Sequence, residues 1–158
     1  MLRPDFIFES VADLTSDFYL KNGIKAVIFD IDDTLCPHGS EAPTEDCRAA
    51  VSAALSAGAG VGFISNNKAK RNEFFTPIVL SANKPSKRGY LEICKRLGVK
   101  PCEALSVGDQ LFTDVWGAKR ADIRSALVTP ISNYKNPIIA IKRVLEKPLL
   151  RKYKGKSK

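Results

Sequence analysis

The stretch AVIFDIDDTL, residues 26–35, sets an apolar run directly against three carboxylates. The run KAVIFD (25–30) is short and rich in β-branched and aromatic residues, which predicts a strand buried on both faces. Asp30, Asp32 and Asp33 then arrive within four residues, with Thr34 behind them. Carboxylates packed this closely repel one another and resist desolvation, so the cluster is tolerable where a cation sits among them. In extended chain, residues two apart point to the same side, roughly 6.5–7 Å from one another. Asp30 and Asp32 could therefore share one reaction. One carboxylate attacks a phosphorus to form an aspartyl-phosphate, and the other serves the leaving group as general acid and then base. Mg²⁺ suits such a site because it takes carboxylate, carbonyl, water and phosphate oxygens together.

Two plainer readings compete. An EF-hand loop counted from Asp30 finds Asp32, Thr34 and Glu41 in place, but its obligatory glycine is Leu35. The preceding run is also strand-like instead of an entering helix, so the EF-hand is set aside. A cluster of acids that merely caps a following helix stays open on this segment alone.

Beyond the first strand, helical and extended patterns alternate. TEDCRAAVSAALSAG (44–58) predicts a helix with Thr44 as N-cap and Gly58 as its stop, and GVGFIS (60–65) a second strand. KAKRNEFFTPI (68–78) reads as a basic helix broken near Pro77, and IVLSA (78–82) as a weak third strand. SKRGYLEICKRLG (86–98) places Tyr90, Ile93, Cys94 and Leu97 on one helical face. ALSVG (104–108), LFTDVWGAKRA (111–121) and SALVT (125–129) complete a strand, a helix and a strand. A lead-in helix is expected over 10–23, and a C-terminal one over 136–150 with Asn136 as N-cap and Pro137 at its first position. In that last helix Ile138, Ile141, Val144 and Leu145 form one side and Lys142, Arg143 and Lys147 the other. The expected fold is α/β: a Rossmann-like, doubly wound, mostly parallel five-stranded sheet. GAGVG (58–62) precedes its strand and lacks dinucleotide-loop spacing, so it is a helix stop and turn.

In such sheets ligands bind beyond the carboxyl ends of the strands. Each predicted strand end carries chemistry. Ser65 and Asn66 follow the second, where a hydroxyl and an amide could donate to a phosphoryl oxygen. Lys84 follows the third and could supply a fixed positive charge beside the phosphate. Gly108, Asp109 and Asp114 follow the fourth, where acids could complete a Mg²⁺ shell, Asp114 through water or by orienting Lys84. The plainer alternative for Asp109 is a cap on the helix from Gln110.

Composition bounds the rest. At 158 residues, 44% hydrophobic and 27% charged, the chain reads as one globular domain (1–150) with a basic tail (151–158). No apolar run approaches the ~20 residues of a membrane span. The N-terminal MLRPDFIFES lacks the pattern of a secretory signal, so a cytoplasmic location is expected. Cys36, Cys47, Cys94 and Cys102 form no CxxC pair and His38 is the single histidine, which argues against zinc and for reduced thiols. The net charge is +8, with five basic residues in RKYKGKSK (151–158). That tail reads either as a solvated terminus or as a polybasic patch for lipid headgroups or nucleic acid.

The strand-end residues resemble those of the haloacid dehalogenase-like (HAD) phosphohydrolases, which place D-x-D-x-T, Ser or Thr, Lys and a paired-acid motif in this order. The matching residues are DIDDT, Ser65, Lys84 and GDQLFTD. The resemblance implies Asp30 as nucleophile, Asp32 as acid/base, Thr34 and Ser65 as phosphate hydrogen-bonders and Lys84 as charge clamp. It also implies a Mg²⁺ site formed by Asp30, the backbone carbonyl of Asp32, Asp109 and Asp114. LRPDF, GIKAVIFDIDDTL, SNNKAKR, ANKPSKRGY and VGDQLFTDV are further similar to the YqeG-type subfamily of class IIIA HAD phosphatases, which includes phosphatidylglycerophosphate phosphatases. That family usually has Asn where this chain has Asp33.

Only CPHGSEAPT (36–44) separates the first motif from the first major helix, and no long insertion lies between Ser65 and Lys84. No cap domain is expected, and an open site suits a bulky or membrane-bound phosphate. His38 lies in this short loop, where it could line the entrance; the favoured reading is a solvated loop histidine.

The expected activity is Mg²⁺-dependent phosphomonoester hydrolysis through an aspartyl-phosphate, on phosphatidylglycerophosphate, with peripheral contact at the inner membrane face. A soluble phosphomonoester is the alternative substrate. An alternative of another class is a basic RNA- or ribosome-associated protein, although no aromatic residues are interleaved for base stacking.

Overall fold

The computed structural model describes residues 2–40, 42–132 and 137–154. Six strands form one sheet: β1 (Phe6–Phe8), β2 (Ala26–Asp30), β3 (Gly60–Ile64), β4 (Ile78–Val79), β5 (Ala104–Gly108) and β6 (Arg124–Val128). Their spatial order is β1-β6-β5-β2-β3-β4, and every neighbouring pair is parallel. The expected sheet of five strands thus has a sixth, β1, at its edge. Phe6–Phe8 is too short to show a strand period, and it is held instead by Phe6 and Phe8 against Phe18, with ring centroids 4.9 and 5.0 Å apart.

β2 is central because every one of its residues can be buried. Val27 and Phe29 face one layer, where Tyr19 of α1 (Ser16–Lys21) and Cys47, Ala50 and Ala54 of α2 (Glu45–Ser56) cover them. Ala26 and Ile28 face the other, under Tyr90, Ile93 and Cys94 of α3 (Arg88–Leu97) and Ala118 of α4 (Trp116–Arg120). Alternation along one buried strand therefore builds both layers of a doubly wound fold. Thr44 caps α2 by accepting from the Cys47 amide at 3.1 Å, and α3 ends at Gly98 in the left-handed region.

Two predicted helices before β4 differ. The lead-in helix divides into a 3₁₀ turn (Val11–Asp13) and α1, because Thr15 caps the latter by accepting from the Phe18 amide. Residues 68–77 form turns instead of a basic helix. The side chains of Asn67 and Asn72 bond the backbone amides of Ala69 and Phe74, which competes with helical hydrogen bonding. Phe75 anchors this segment on Phe63, centroid to centroid 5.2 Å. The C-terminal helix α5 (Pro137–Lys154) begins at Pro137 as expected, and the predicted cap Asn136 lies outside the described residues.

Glu146 of α5 makes a polar contact to the body, accepting from the Phe112 amide at 3.1 Å. Leu149 and Leu150 pack near Leu111, Val115 and Leu127. Ile141, Val144 and Leu145, three members of the predicted apolar side, are 62%, 60% and 59% exposed. Among the described residues no helix is long and apolar enough to cross a membrane.

Candidate active site

The carboxyl ends of β2, β3 and β5 meet where the strand order reverses, the position at which such sheets bind ligands. A cavity of about 290 Å³ opens there, lined by Asp30, Asp32, Asn66, Lys84 and Thr113 among others.

β2 delivers Asp30 to the floor, 5% exposed. Its Oδ1 lies 2.5 Å from Nζ of Lys84, and its Oδ2 accepts from the Thr34 hydroxyl at 3.2 Å. The same hydroxyl lies 3.2 Å from Oδ1 of Asp109. A hydroxyl has one proton, so Thr34 serves one of the two carboxylates at a time.

β5 ends at Gly108, where a side chain would strike the carboxyl group of Asp114. The chain then makes a π-helical turn, Leu111–Val115, which brings Asp114 back into the site. Asp114 Oδ1 pairs with Lys84 Nζ at 2.5 Å, and its Oδ2 accepts from the Gln110 amide at 3.0 Å. Asp114, not Asp109, thus meets the amide at the start of this turn.

Lys84 is held from behind. Its backbone N–H donates to Asn66 Oδ1 at 2.7 Å, and Asn66 Nδ2 donates to its carbonyl at 3.3 Å. The Asn66 amide is thereby engaged with the Lys84 backbone while lining the cavity. Ser65 Oγ accepts from the Asn67 amide at 3.0 Å and donates to Asp32 Oδ2 at 3.4 Å.

Burial pushes the Asp30 carboxyl up to about 7; Lys84 opposes this, and Asp114 and Asp32 add to it. Burial acts to lower the Lys84 ammonium, but Asp114 and Asp30 outweigh it and hold the group well above its ordinary value. Asp30, Asp109 and Asp114 are all buried and bring one ligand oxygen each within 4.8 Å of one another. Three carboxylates around one ammonium leave excess negative charge, and hard oxygen donors suit a divalent cation such as Mg²⁺. The residues present therefore fit a divalent metal.

Two residues hold places that the sequence reading did not favour. Arg71, read as part of a basic helix, places NH2 2.6 Å from Asp32 Oδ2 with its side chain 5% exposed. Nothing local in NKAKR marks it, since the contact spans 39 residues. His38, read as solvated, lines the cavity and is half-buried. Asp33 also lines the cavity, from the turn that follows β2. It adopts φ 62° and is 2% exposed. Its carboxylate accepts from the His38 amide and the Ser132 hydroxyl, and its carbonyl accepts from the Ile131 amide at 2.9 Å.

Known proteins resemble this chain in sequence and fold. The sequence model of the HAD-hydrolase-like family matches residues 81–130. The chain is 25% identical over 158 residues to the probable phosphatase YqeG of Bacillus subtilis, covering 97% of this chain and 92% of that protein. The chain is thus similar to HAD-hydrolase-like proteins over those residues and to a probable phosphatase over nearly its whole length. Solved structures agree on the HAD-like fold. An uncharacterized protein from Listeria monocytogenes superposes with a TM-score of 0.56 at 18% identity, over 72% of this chain and 85% of that one. The cobalt-bound deoxy-D-mannose-octulosonate 8-phosphate phosphatase of Haemophilus influenzae gives 0.51 at 18% identity, over 70% of each chain. As in the sequence expectation, the chain has no cap domain among its described residues: 31–40 and 42–44 run as turns with one isolated bridge, Asp32 to Cys36.

Proposed function

We propose that this protein is a Mg²⁺-dependent phosphomonoesterase that works through an aspartyl-phosphate on Asp30, with phosphatidylglycerophosphate as its substrate. The observation that carries the chemistry is Asp30 itself, a buried carboxylate between Lys84 and the acids Asp109 and Asp114 at the floor of an open cavity. YqeG, described as a probable phosphatase, supports the reaction class.

Asp30 attacks phosphorus, and the ester oxygen leaves with its electron pair and takes a proton from Asp32. Asp32 then accepts a proton from the water that attacks the aspartyl-phosphate, which restores both residues. Lys84 offers fixed positive charge beside the transferred group, and Thr34 and Ser65 present hydroxyls at its edge. Asp30, Asp109, Asp114 and the Asp32 carbonyl would hold Mg²⁺, which neutralises phosphoryl oxygen charge when bound.

The lipid reading rests on α5. Ile141, Val144 and Leu145, at i, i+3 and i+4, share one exposed face, with exposed Lys147, Arg151 and Lys152 further along the helix. An apolar face beside basic residues fits an anionic bilayer surface, where each cation contributes about 1 kcal/mol. Such contact is peripheral and reversible, and it would place the open cavity near lipid headgroups. Glu146 fixes the helix to the turn that bears Asp114.

Phosphate release from phosphatidylglycerophosphate and from soluble phosphomonoesters, with and without Mg²⁺, tests both parts. Metal-dependent release from the lipid is expected. Hydrolysis of soluble esters alone would remove the lipid and leave the phosphatase.

A further inference from the structure

The pairing of Arg71 with Asp32 goes beyond the motif residues. Arg71 comes from the segment between β3 and β4, and its side chain is 5% exposed, so it is no solvated surface cation. NH2 donates to Asp32 Oδ2 at 2.6 Å, while NH1 reaches the Ser40 carbonyl at 3.5 Å in the loop after β2. Ser65 Oγ adds a second donor to the same Oδ2 at 3.4 Å. Asp32 Oδ1 is buried and accepts from no protein group.

Guanidinium is a rigid, planar donor, so an oxygen bonded to it is held in place. We infer that Arg71 is a positioning residue for Asp32: by engaging Oδ2, it fixes the orientation of the carboxyl group that handles the transferable proton. This rests on the phosphatase reading above. As the Asp30–phosphorus bond forms and the ester P–O bond breaks, the departing oxygen keeps the bonding pair and takes the Asp32 proton. When water attacks the aspartyl-phosphate and the Asp30–phosphorus bond breaks, Asp32 takes the proton of that water. Without Arg71, the carboxyl group can turn away from the leaving group.

The test compares kcat/KM for p-nitrophenyl phosphate, whose leaving group departs unprotonated, with that for an alkyl phosphomonoester, whose leaving group needs an acid. This ratio reports steps up to departure of the leaving group and excludes the later hydrolysis. In Arg71→Ala, loss on the alkyl ester of about 30-fold or more is expected, within the ~10²–10⁴ range of general acid catalysis. The aryl ester should change less than about threefold, because it does not draw on that contribution. Arg71→Lys, which keeps a buried cation but not the planar fork, should recover part of the alkyl activity. It also carries the comparison should the Ala variant fail to fold. Equal losses on both esters, or an undiminished alkyl rate, would overturn the inference. Hydrolysis of neither ester by the wild-type protein would overturn the phosphatase reading, and the inference with it.

Discussion

Nζ of Lys84 lies 2.5 Å from Oδ1 of Asp30, with both side chains under a tenth exposed. A buried pair of this kind is held together by mutual need, because removal of either partner leaves an uncompensated charge. Lys84 also meets Asp114 at 2.5 Å, so Lys84→Met strands two acids at once. The expected cost is about 3–5 kcal/mol of stability, the usual range for breaking a buried pair. Thermal melting measures it, and phosphate release should fall with it. A variant as stable as the parent would show that the ammonium does not organise the site.

Asp30→Asn removes the proposed nucleophile while keeping shape and volume. The neutral amide also relieves the burial cost of a carboxylate, and Asp114 still pairs Lys84, so the variant should fold at least as well as the parent when metal is absent. Turnover should become undetectable, and no acid-stable, base-labile phosphoryl-enzyme should form. Near-normal phosphate release would refute a covalent role for Asp30.

The raised Asp30 carboxyl sets a pH dependence in the metal-free protein. The folded state keeps its proton up to about 7, whereas the unfolded value is 3.8. Between these values the folded form binds more protons than the unfolded form, so stability falls as pH rises and levels off above about 7. Chelator-treated protein should therefore melt lower at pH 7 than at pH 5, and Asp30→Asn should flatten that trend. A divalent cation should raise the melting temperature most above pH 7, where Asp30 is ionised. Melting that rises steadily from pH 5 to 7 in chelator would contradict the assigned direction.

The parallel sheet and the four clusters after strand ends were legible because each rests on local pattern. Apolar runs of β-branched residues read as buried strands, and carboxyl-end placement then groups Asp30, Ser65, Lys84 and Asp109 without further information. What escaped depends on contacts remote in sequence. β1 is held by a cluster of phenylalanines more than by any strand period. Arg71 acquires its meaning only when the β3–β4 segment folds back over Asp32. The segment reads as a basic helix by composition, while Asn67 and Asn72 divert the backbone into turns.

Asp33 illustrates a residue whose work is structural. With φ 62° it occupies a region that Asn and Asp tolerate better than other side chains. Asp33→Asn keeps both the conformation and an acceptor oxygen for the Ser132 hydroxyl and the His38 amide. It should change stability by no more than ~1 kcal/mol, the scale of one net hydrogen bond. Asp33→Ala loses both bonds and is strained, so a cost of about 2–4 kcal/mol is expected from the two effects together. Chemical denaturation distinguishes the variants, and equal effects would show that the backbone conformation and these bonds matter little.

α5 should affect where the enzyme works without affecting the chemistry. Val144 and Leu145 are 60% and 59% exposed and make up part of its apolar face, so replacing both by Asp removes apolar contact without opening the core. It also sets two negative charges against an anionic surface, reversing part of the attraction supplied by Lys147, Arg151 and Lys152. Sedimentation with phosphatidylglycerol vesicles should fall by about tenfold or more, the equivalent of the ~1.4 kcal/mol carried by one or two such contacts. Hydrolysis of a soluble aryl phosphate should stay unchanged, because neither side chain lines the cavity. Lipid hydrolysis should drop in proportion to vesicle binding. Vesicle binding that survives the double substitution would move the membrane contact off this face of α5 and leave the lipid substrate to stand on activity alone.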